Sequence, residues 1–323
     1  MAELAIGVAV ASLIVLPHRL PLHAVAPSLA TAVWLLALAL RALVGVGTAL
    51  FVFLHLPETA LFEAVARWCL HTVLPLLVDE LGVSGHSLAD AATFLPILAL
   101  TASVLWVLLG LVRAALALRL YLRRRSRGAG PLGSTVVDDP GILLALTGLG
   151  RPRLLVSRGA LRAMDRHELA AGLAHELGHL RRGHRPILFV ASLLRGLGRP
   201  LPGSGAAAEE LAFSLERDAD DYAVRQGRNP LDLASAICKA AQGGQPQLPA
   251  MALGGGGRVA LRLEYLLGEA SRTRGTRIER FTRLLALAMA LAGLAAGATL
   301  PTHATASSSR ANSAAHAELV CLH

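Results

Sequence analysis

Apolar residues run almost without interruption in four places along the chain: Leu4 to Leu16, Ser28 to Leu56, Ala91 to Leu122 and Leu284 to Leu300. A bilayer core about 30 Å thick takes roughly 20 such residues in a helix, so the second and third runs are long enough to cross. The first run is shorter and ends at Pro17. The segment before it, Met1-Ala2-Glu3, lacks the positive start of a secretory signal, so the run reads as a short retained span. Arg41 is the only charge in the second run and must snorkel or face a neighbouring helix; a tolerated helix-face arginine is the expected reading. Between the second and third runs, Pro57 to Asp90 carries five acids and Arg67 among leucines and valines. It fits either an amphipathic helix pair outside the membrane or a weak extra span.

The middle of the chain changes period. Gly128 to Gly133 reads as a linker, and Val136-Val137 before Asp138-Asp139-Pro140-Gly141 as a short strand entering a turn. Arg153 to Ser157 is a second strand. Asp165 can cap a helix and Glu168, three residues on, completes a capping box. Leu169, Leu173, Leu177 and Leu180 give that helix its apolar face, and cations from Arg181 to Arg185 suit its C-terminus. Pro186 to Leu201 is apolar but too short and too interrupted to cross, so it is a buried or membrane-skimming helix. After a Pro202–Gly205 turn, a helix from about Ala206 to Gln226 carries Glu209, Glu210, Glu216, Asp218, Asp220 and Asp221. Gln242 to Gly257 reads as a mobile loop and Arg258 to Glu269 as a helix with Arg258, Arg262 and Glu264 on its polar side. The Ser/Ala-rich stretch 301–323 has the composition of a disordered tail.

Composition agrees with the membrane reading. Of 323 residues 54% are hydrophobic, and the mean hydropathy of +0.54 is high for a soluble domain of this size. The net charge of +9 lies entirely between Leu120 and Arg280, which hold 24 Lys and Arg against 15 Asp and Glu. No stacking aromatics or recognition motif accompany that charge, so nucleic acid is not an expected partner. The cluster Arg123-Arg124-Arg125-Ser126-Arg127 at the end of the third run marks the cytoplasmic side instead, and Arg272 to Arg283 repeat the signal before the last run. Working backwards, the loop from Pro17 to Pro27 lies inside and the acidic stretch outside. Cys69, Cys238 and Cys321 are isolated and suggest neither a disulfide framework nor a thiolate metal site.

The chemistry sits in Ala174-His175-Glu176-Leu177-Gly178-His179-Leu180. Histidines four apart share a helix face and can bind one ion, and His-Glu-x-x-His adds a carboxylate beside it for a general base. The pattern falls well inside the capped helix, where such a pair has to be. Downstream, Phe213, Leu215, Ala219 and Tyr222 leave Glu216 and Asp220 together on one side of the acidic helix. His167 is a surface residue on this reading, and His18, His23, His55, His71, His86, His303, His316 and His323 have no metal-like spacing.

His175-Glu-Leu-Gly-His179 followed by Glu216-Arg-Asp-Ala-Asp220 resembles the HExxH…ExxxD signature of gluzincin membrane metallopeptidases. The resemblance extends over Val136 to Leu267 and includes Arg153-Leu-Leu-Val-Ser-Arg-Gly-Ala-Leu, Arg181-Arg-Gly-His184 and Arg258-Val-Ala-Leu-Arg262-Leu-Glu-Tyr-Leu-Leu267. Three spans before the domain and one after it are similar to the BlaR/MecR type. The HtpX/CAAX-prenyl-protease type usually places more chain between the two motifs. A penicillin-binding sensor domain would follow the last span in a BlaR-type receptor, and here only a short tail does, so beta-lactam sensing is not implied.

What the resemblance implies is a mainly α membrane protein: about three transmembrane helices in 1–122, a cytoplasmic α+β zinc-peptidase domain with a small sheet in 123–280, a C-terminal transmembrane helix in 281–300 and the tail 301–323. His175, His179 and Glu216 would ligate one zinc ion per chain, leaving a fourth position for water. Glu176 would be the general base and Asp220 would orient a ligand imidazole. Tyr222 and His184 are candidates for oxyanion stabilisation, with a structural role the preferred reading of each. An extended peptide could add to the Arg153–Ser157 strand if it is a sheet edge. The expected partners are the lipid bilayer and a protein or peptide substrate, a cytoplasmic regulator or a membrane protein. The expected activity is zinc-dependent endopeptidase in a bacterial-type plasma membrane, in regulatory proteolysis. The alternatives are HtpX-like quality control and a catalytically silent scaffold of the same fold.

Overall fold

The computed structural model describes residues 2–55, 94–147, 153–242, 258–268 and 277–296. The acidic stretch 57–90, the glycine-rich segment 243–257 and the tail 301–323, for which expectations were set above, lie outside the described residues.

The apolar runs become helices: α1 (Ala2–Val15), α2 (Pro27–His55) and α3 (Leu95–Arg125). Within them, Pro27–Phe51 and Leu95–Arg125 are long and apolar enough to cross a membrane, while α1 belongs to a shorter apolar helix. They differ in surroundings. Trp34, Ala37 and Leu38 of α2 are buried by protein, whereas Leu98, Leu105, Trp106, Leu109, Val112 and Leu116 of α3 are exposed. The helix α10 over 277–296 adds Leu285 and Met289 to the cluster around α2.

Beyond α3 the chain forms a four-stranded sheet from β1 (Ser126–Ala129), β2 (Thr135–Val137), β3 (Leu144–Thr147) and β4 (Arg153–Ser157) in the order β1-β2-β4-β3. β2 and β4 are parallel, and the two outer pairs are antiparallel. Two expectations change here. The stretch expected to be a linker at Gly128–Gly133 contains the end of β1 and a 3₁₀ turn at Pro131–Gly133. The Arg153–Ser157 strand is no edge: it is hydrogen-bonded on both sides, and β3, unforeseen in the sequence, is the edge next to it, β1 being the other. Leu144-Ala-Leu-Thr147 is too short and too evenly apolar to show a period of two, so nothing local distinguished it from a loop or a helix fragment.

The sheet is joined to α3 by its last turns. Tyr121 packs with Val137, Leu143 and Leu155, and its hydroxyl donates to Asp139 Oδ2 at 2.7 Å. Val137 and Leu155 are fully enclosed, and each such side chain stabilises the fold by roughly 1.5–3 kcal/mol. The rest is helical: α4 (Arg158–Ala163), α5 (Arg166–Arg181), α6 (His184–Leu197), α7 (Ser204–Arg225), α8 (Pro230–Gln242) and α9 (Val259–Leu267). The capping box at the start of α5 is present in full. Asp165 accepts from the backbone of His167 and Glu168, and Glu168 accepts from the backbone of Asp165.

The helices that frame the site rest directly on the apolar ones. α7 lies along α2, with Ala207, Leu211 and Leu215 in one cluster with Ala30, Val33, Trp34, Ala37 and Leu38. α6 packs against both α2 and α3, burying Ala191 and Gly196 and leaving Phe189 and Val190 exposed. Gly45 meets the carbonyl of Leu197 and Gly198 meets Arg41 at distances a Cβ would not allow without a shift. Arg41 is more than a tolerated helix-face residue. It is 1% exposed and donates to the carbonyls of Ala37, Ile14 and Pro202, with His18 Nε2 at 2.9 Å. One guanidinium thus ties α1, α2 and the α6–α7 turn together. Arg217 does the same lower down, donating from α7 to the carbonyls of Leu22 and Val25.

Candidate metal centre

The site forms where α5 crosses α7. Gly178 is the reason the two helices come so close: a Cβ there would stand 3.1 Å from the Ala219 Cα and 3.2 Å from the Tyr222 Cβ. Gly172, two turns earlier, admits Leu144 of β3 in the same way. With its two glycines α5 is wedged between the edge strand and the acidic helix, which faces His175 and His179 toward Glu216.

The three side chains converge. His175 Nε2 is 3.2 Å from His179 Nε2 and 3.4 Å from Glu216 Oε2, and His179 Nε2 is 3.5 Å from Glu216 Oε1. Among the described residues they form the one cluster of histidine, cysteine and acid side chains able to hold a metal ion. A tetrahedral zinc ion with bonds of about 2.1 Å separates its ligand atoms by about 3.4 Å, close to the distance from each histidine to one or the other Glu216 oxygen, so two imidazoles and a carboxylate are a donor set that suits this ion.

Residues 135–198 match the model of Peptidase family M48. No curated protein and no solved structure matches the chain. The matched stretch runs from β2 to the end of α6 and contains His175, Glu176 and His179, and it supports a metallopeptidase of that family. Such enzymes typically use zinc. Glu216 and Asp220 lie beyond the match, and their place beside the histidines comes from the geometry of α5 and α7. The match does not carry the narrower BlaR/MecR assignment.

The charges around the trio are layered. Asp220, whose side chain is 0% exposed, puts Oδ1 2.7 Å from His175 Nδ1, a short contact at an angle outside that of an ideal hydrogen bond. This is where the sequence placed an orienting acid. Behind it stands Arg262 of α9, which the sequence assigned to a polar face. It is in fact buried, donating to both oxygens of Asp220 at 2.7 and 3.0 Å and lying 2.9 Å from Glu216 Oε2. Burial opposes the arginine's charge, but the carboxylates of Asp220 and Glu216 outweigh it and raise its pKa. The same competition holds Glu216 and Asp220 below the usual carboxylate range: burial works to raise both, but His175, His179 and Arg262 outweigh it at Glu216, and Arg262 and His175 outweigh it at Asp220. Only the α9 repeat Arg258-x-x-x-Arg262, part of the family resemblance, hinted at this role.

Glu176 lies on the β3 side. Its Oε2 accepts from the Leu146 backbone N–H at 2.9 Å, and Arg185 donates to the Leu146 carbonyl. Burial in this corner pushes the Glu176 carboxyl up to about 7. His184 is not in the cleft as an oxyanion candidate would be. It sits behind His179, with its Nδ1 2.8 Å from His179 Nδ1. Tyr222 packs its Cβ beside Gly178, on the α5–α7 contact.

Proposed function

We propose that this chain is a membrane-embedded zinc endopeptidase in which His175, His179 and Glu216 hold the ion. The observation that carries the reading is the convergence of His175, His179 and Glu216, whose donor atoms lie within 4.8 Å of one another. When bound there, zinc would supply Lewis acidity at a peptide carbonyl and make water acidic enough to attack near neutral pH. Glu176 takes the proton of the attacking water on its carboxylate and delivers it to the leaving nitrogen. Asp220, fixed by Arg262, keeps the His175 ring turned so that Nε2 faces the ion.

The substrate is an extended peptide that runs along the edge strand β3 and pairs with its main chain, displacing Glu176 and Arg185 from the Leu146 N–H and carbonyl that they hold without substrate. β3 lies beside α5 and touches the catalytic carboxylate through Leu146. Strand addition reads backbone more than side chains, which suits an endopeptidase of broad sequence tolerance. Membrane residence is supported by α2 and by the exposed apolar face of α3, and a cytoplasmic site by Arg123, Arg124 and Arg125 in the last turn of α3. The finer part of the reading is regulatory proteolysis of the BlaR/MecR kind, supported by apolar helices both before and after the site.

The test is purification of the full chain in detergent, with bound zinc and casein cleavage measured for wild type and Glu176→Gln. About one zinc per chain in both, with cleavage only in wild type, is the expected result. Protein free of zinc after zinc addition, or equal cleavage by both, refutes the proposal.

A further inference from the structure

His179 lacks the direct carboxylate partner that His175 has in Asp220, yet its Nδ1 does not face solvent. It faces His184 Nδ1 at 2.8 Å, and His184 Nε2 in turn is 3.1 Å from Asp218 Oδ2. The rings of His179 and His184 stand nearly perpendicular, at 81°. His184 is 1% exposed and Asp218 7%, with Arg182 Nε 3.8 Å from the same carboxylate oxygen. The turn that makes this possible is Gly183. Its φ of +66° reverses the chain between α5 and α6, so the first residue of α6 folds back under the metal helix.

With both imidazoles neutral, one arrangement of protons satisfies every member of this chain. The Asp218 carboxylate can only accept, so His184 carries its proton on Nε2 and presents a lone pair at Nδ1. His179 then donates from Nδ1, which leaves its Nε2 unprotonated, and Nε2 is the atom that meets His175 and Glu216. The opposite tautomers would set a lone pair of His184 against the carboxylate and a proton of His179 inside the metal trio.

We propose that His184 and Asp218 are positioning residues that fix the tautomer and ring orientation of His179 for metal binding, a relayed counterpart of the direct Asp220–His175 contact. This inference rests on the function proposed above, since it takes His179 to be a zinc ligand. It gives the acidic helix two jobs: Asp220 orients one imidazole directly, and Asp218 orients the other through a second imidazole.

The experiment measures zinc affinity of the full chain in detergent by competition with a chromophoric chelator, together with the visible spectrum of the cobalt-substituted protein. Wild type binds one zinc. His184→Leu weakens zinc binding about 10- to 100-fold and shifts the cobalt bands, because the His179 ring loses its anchor. His184→Asn recovers part of the affinity, as its amide oxygen can accept from His179 Nδ1. Asp218→Asn gives a smaller loss, and combining it with His184→Leu adds nothing, because the carboxylate acts only through the imidazole. Affinity within about twofold of wild type in His184→Leu with an unchanged cobalt spectrum overturns the inference while leaving the zinc site standing. So does equal weakening in His184→Asn and His184→Leu, and if the leucine variant does not fold, unchanged affinity in His184→Asn and Asp218→Asn overturns it. A wild-type protein that binds no zinc refutes the proposed function itself, and this inference with it.

Discussion

Replacing Arg262 by methionine tests the architecture of the site without touching a metal ligand. In the native protein one guanidinium neutralises two carboxylates, binding both oxygens of Asp220 and reaching Glu216. Asp220 has no exposed side-chain surface, so water cannot replace the lost partner. Removing one member of a buried ion pair costs about 3–5 kcal/mol, because the remaining charge is left in a poorly solvating environment. For a unit of this size that corresponds to a fall of roughly 6–20 °C in the unfolding midpoint. The assay is thermal unfolding of detergent-solubilised protein with chelator present, so that no ion compensates the acids. Adding zinc at about a hundred times its dissociation constant should restore about 2.7 kcal/mol, a larger share of the loss than any ionic-strength control gives. Combining Arg262→Met with Asp220→Asn should restore most of the loss as well, since the unpaired charge is its cause. A midpoint of Arg262→Met within about 2 °C of wild type would refute the reasoning, as would a double variant no better than the single one.

Two further outcomes follow from the geometry around α5. Gly178→Ala gains about 1 kcal/mol of helix propensity but must push α7 back by a few tenths of an ångström from contacts of 3.1–3.2 Å, at an overpacking cost of about 1–3 kcal/mol. The expected result is lower stability with weakened zinc binding, and a variant that is more stable with unchanged zinc affinity would disprove the close crossing. Glu168 gives a pH signature. Hydrogen bonds from Lys239 and Ser235, and from the Asp165 backbone, lower its carboxyl from 4.5 to about 2. The folded state therefore binds this proton less readily than the unfolded chain, so the contribution is full above about pH 4.5 and is lost as pH falls toward 2. In chelator-treated protein the stability difference between wild type and Glu168→Gln should be constant near neutral pH and shrink below pH 4.5. A difference independent of pH down to 2.5 would contradict the pairing.

The elements that sequence alone determined are those whose information is local. The capping box at Asp165 and Glu168, the His175/His179 spacing and the Glu216/Asp220 spacing are helix-periodic, and a helix keeps residues four apart on one face whatever surrounds it. The apolar runs at Ser28–Leu56 and Ala91–Leu122 declared themselves by length and composition, and became α2 and α3.

Tertiary structure decided what depends on which surfaces meet. Whether β4 was an edge could not be read from its residues, because edge and centre differ only in the presence of a neighbour, here the unforeseen β3. Arg41 and Arg262 looked like tolerated or solvated arginines, since a guanidinium at a helix position says nothing about the carbonyls or carboxylates another helix will bring to it. His184 is five residues from His179, off the helical repeat, and only the left-handed turn at Gly183 carries it back beneath the metal helix. The chain's local periodicities chose the candidate ligands His175, His179 and Glu216; the crossing of α5 and α7 at Gly178 and the buried arginine and histidine behind them set their geometry, because the orientation of such side chains is fixed by contacts far apart in sequence.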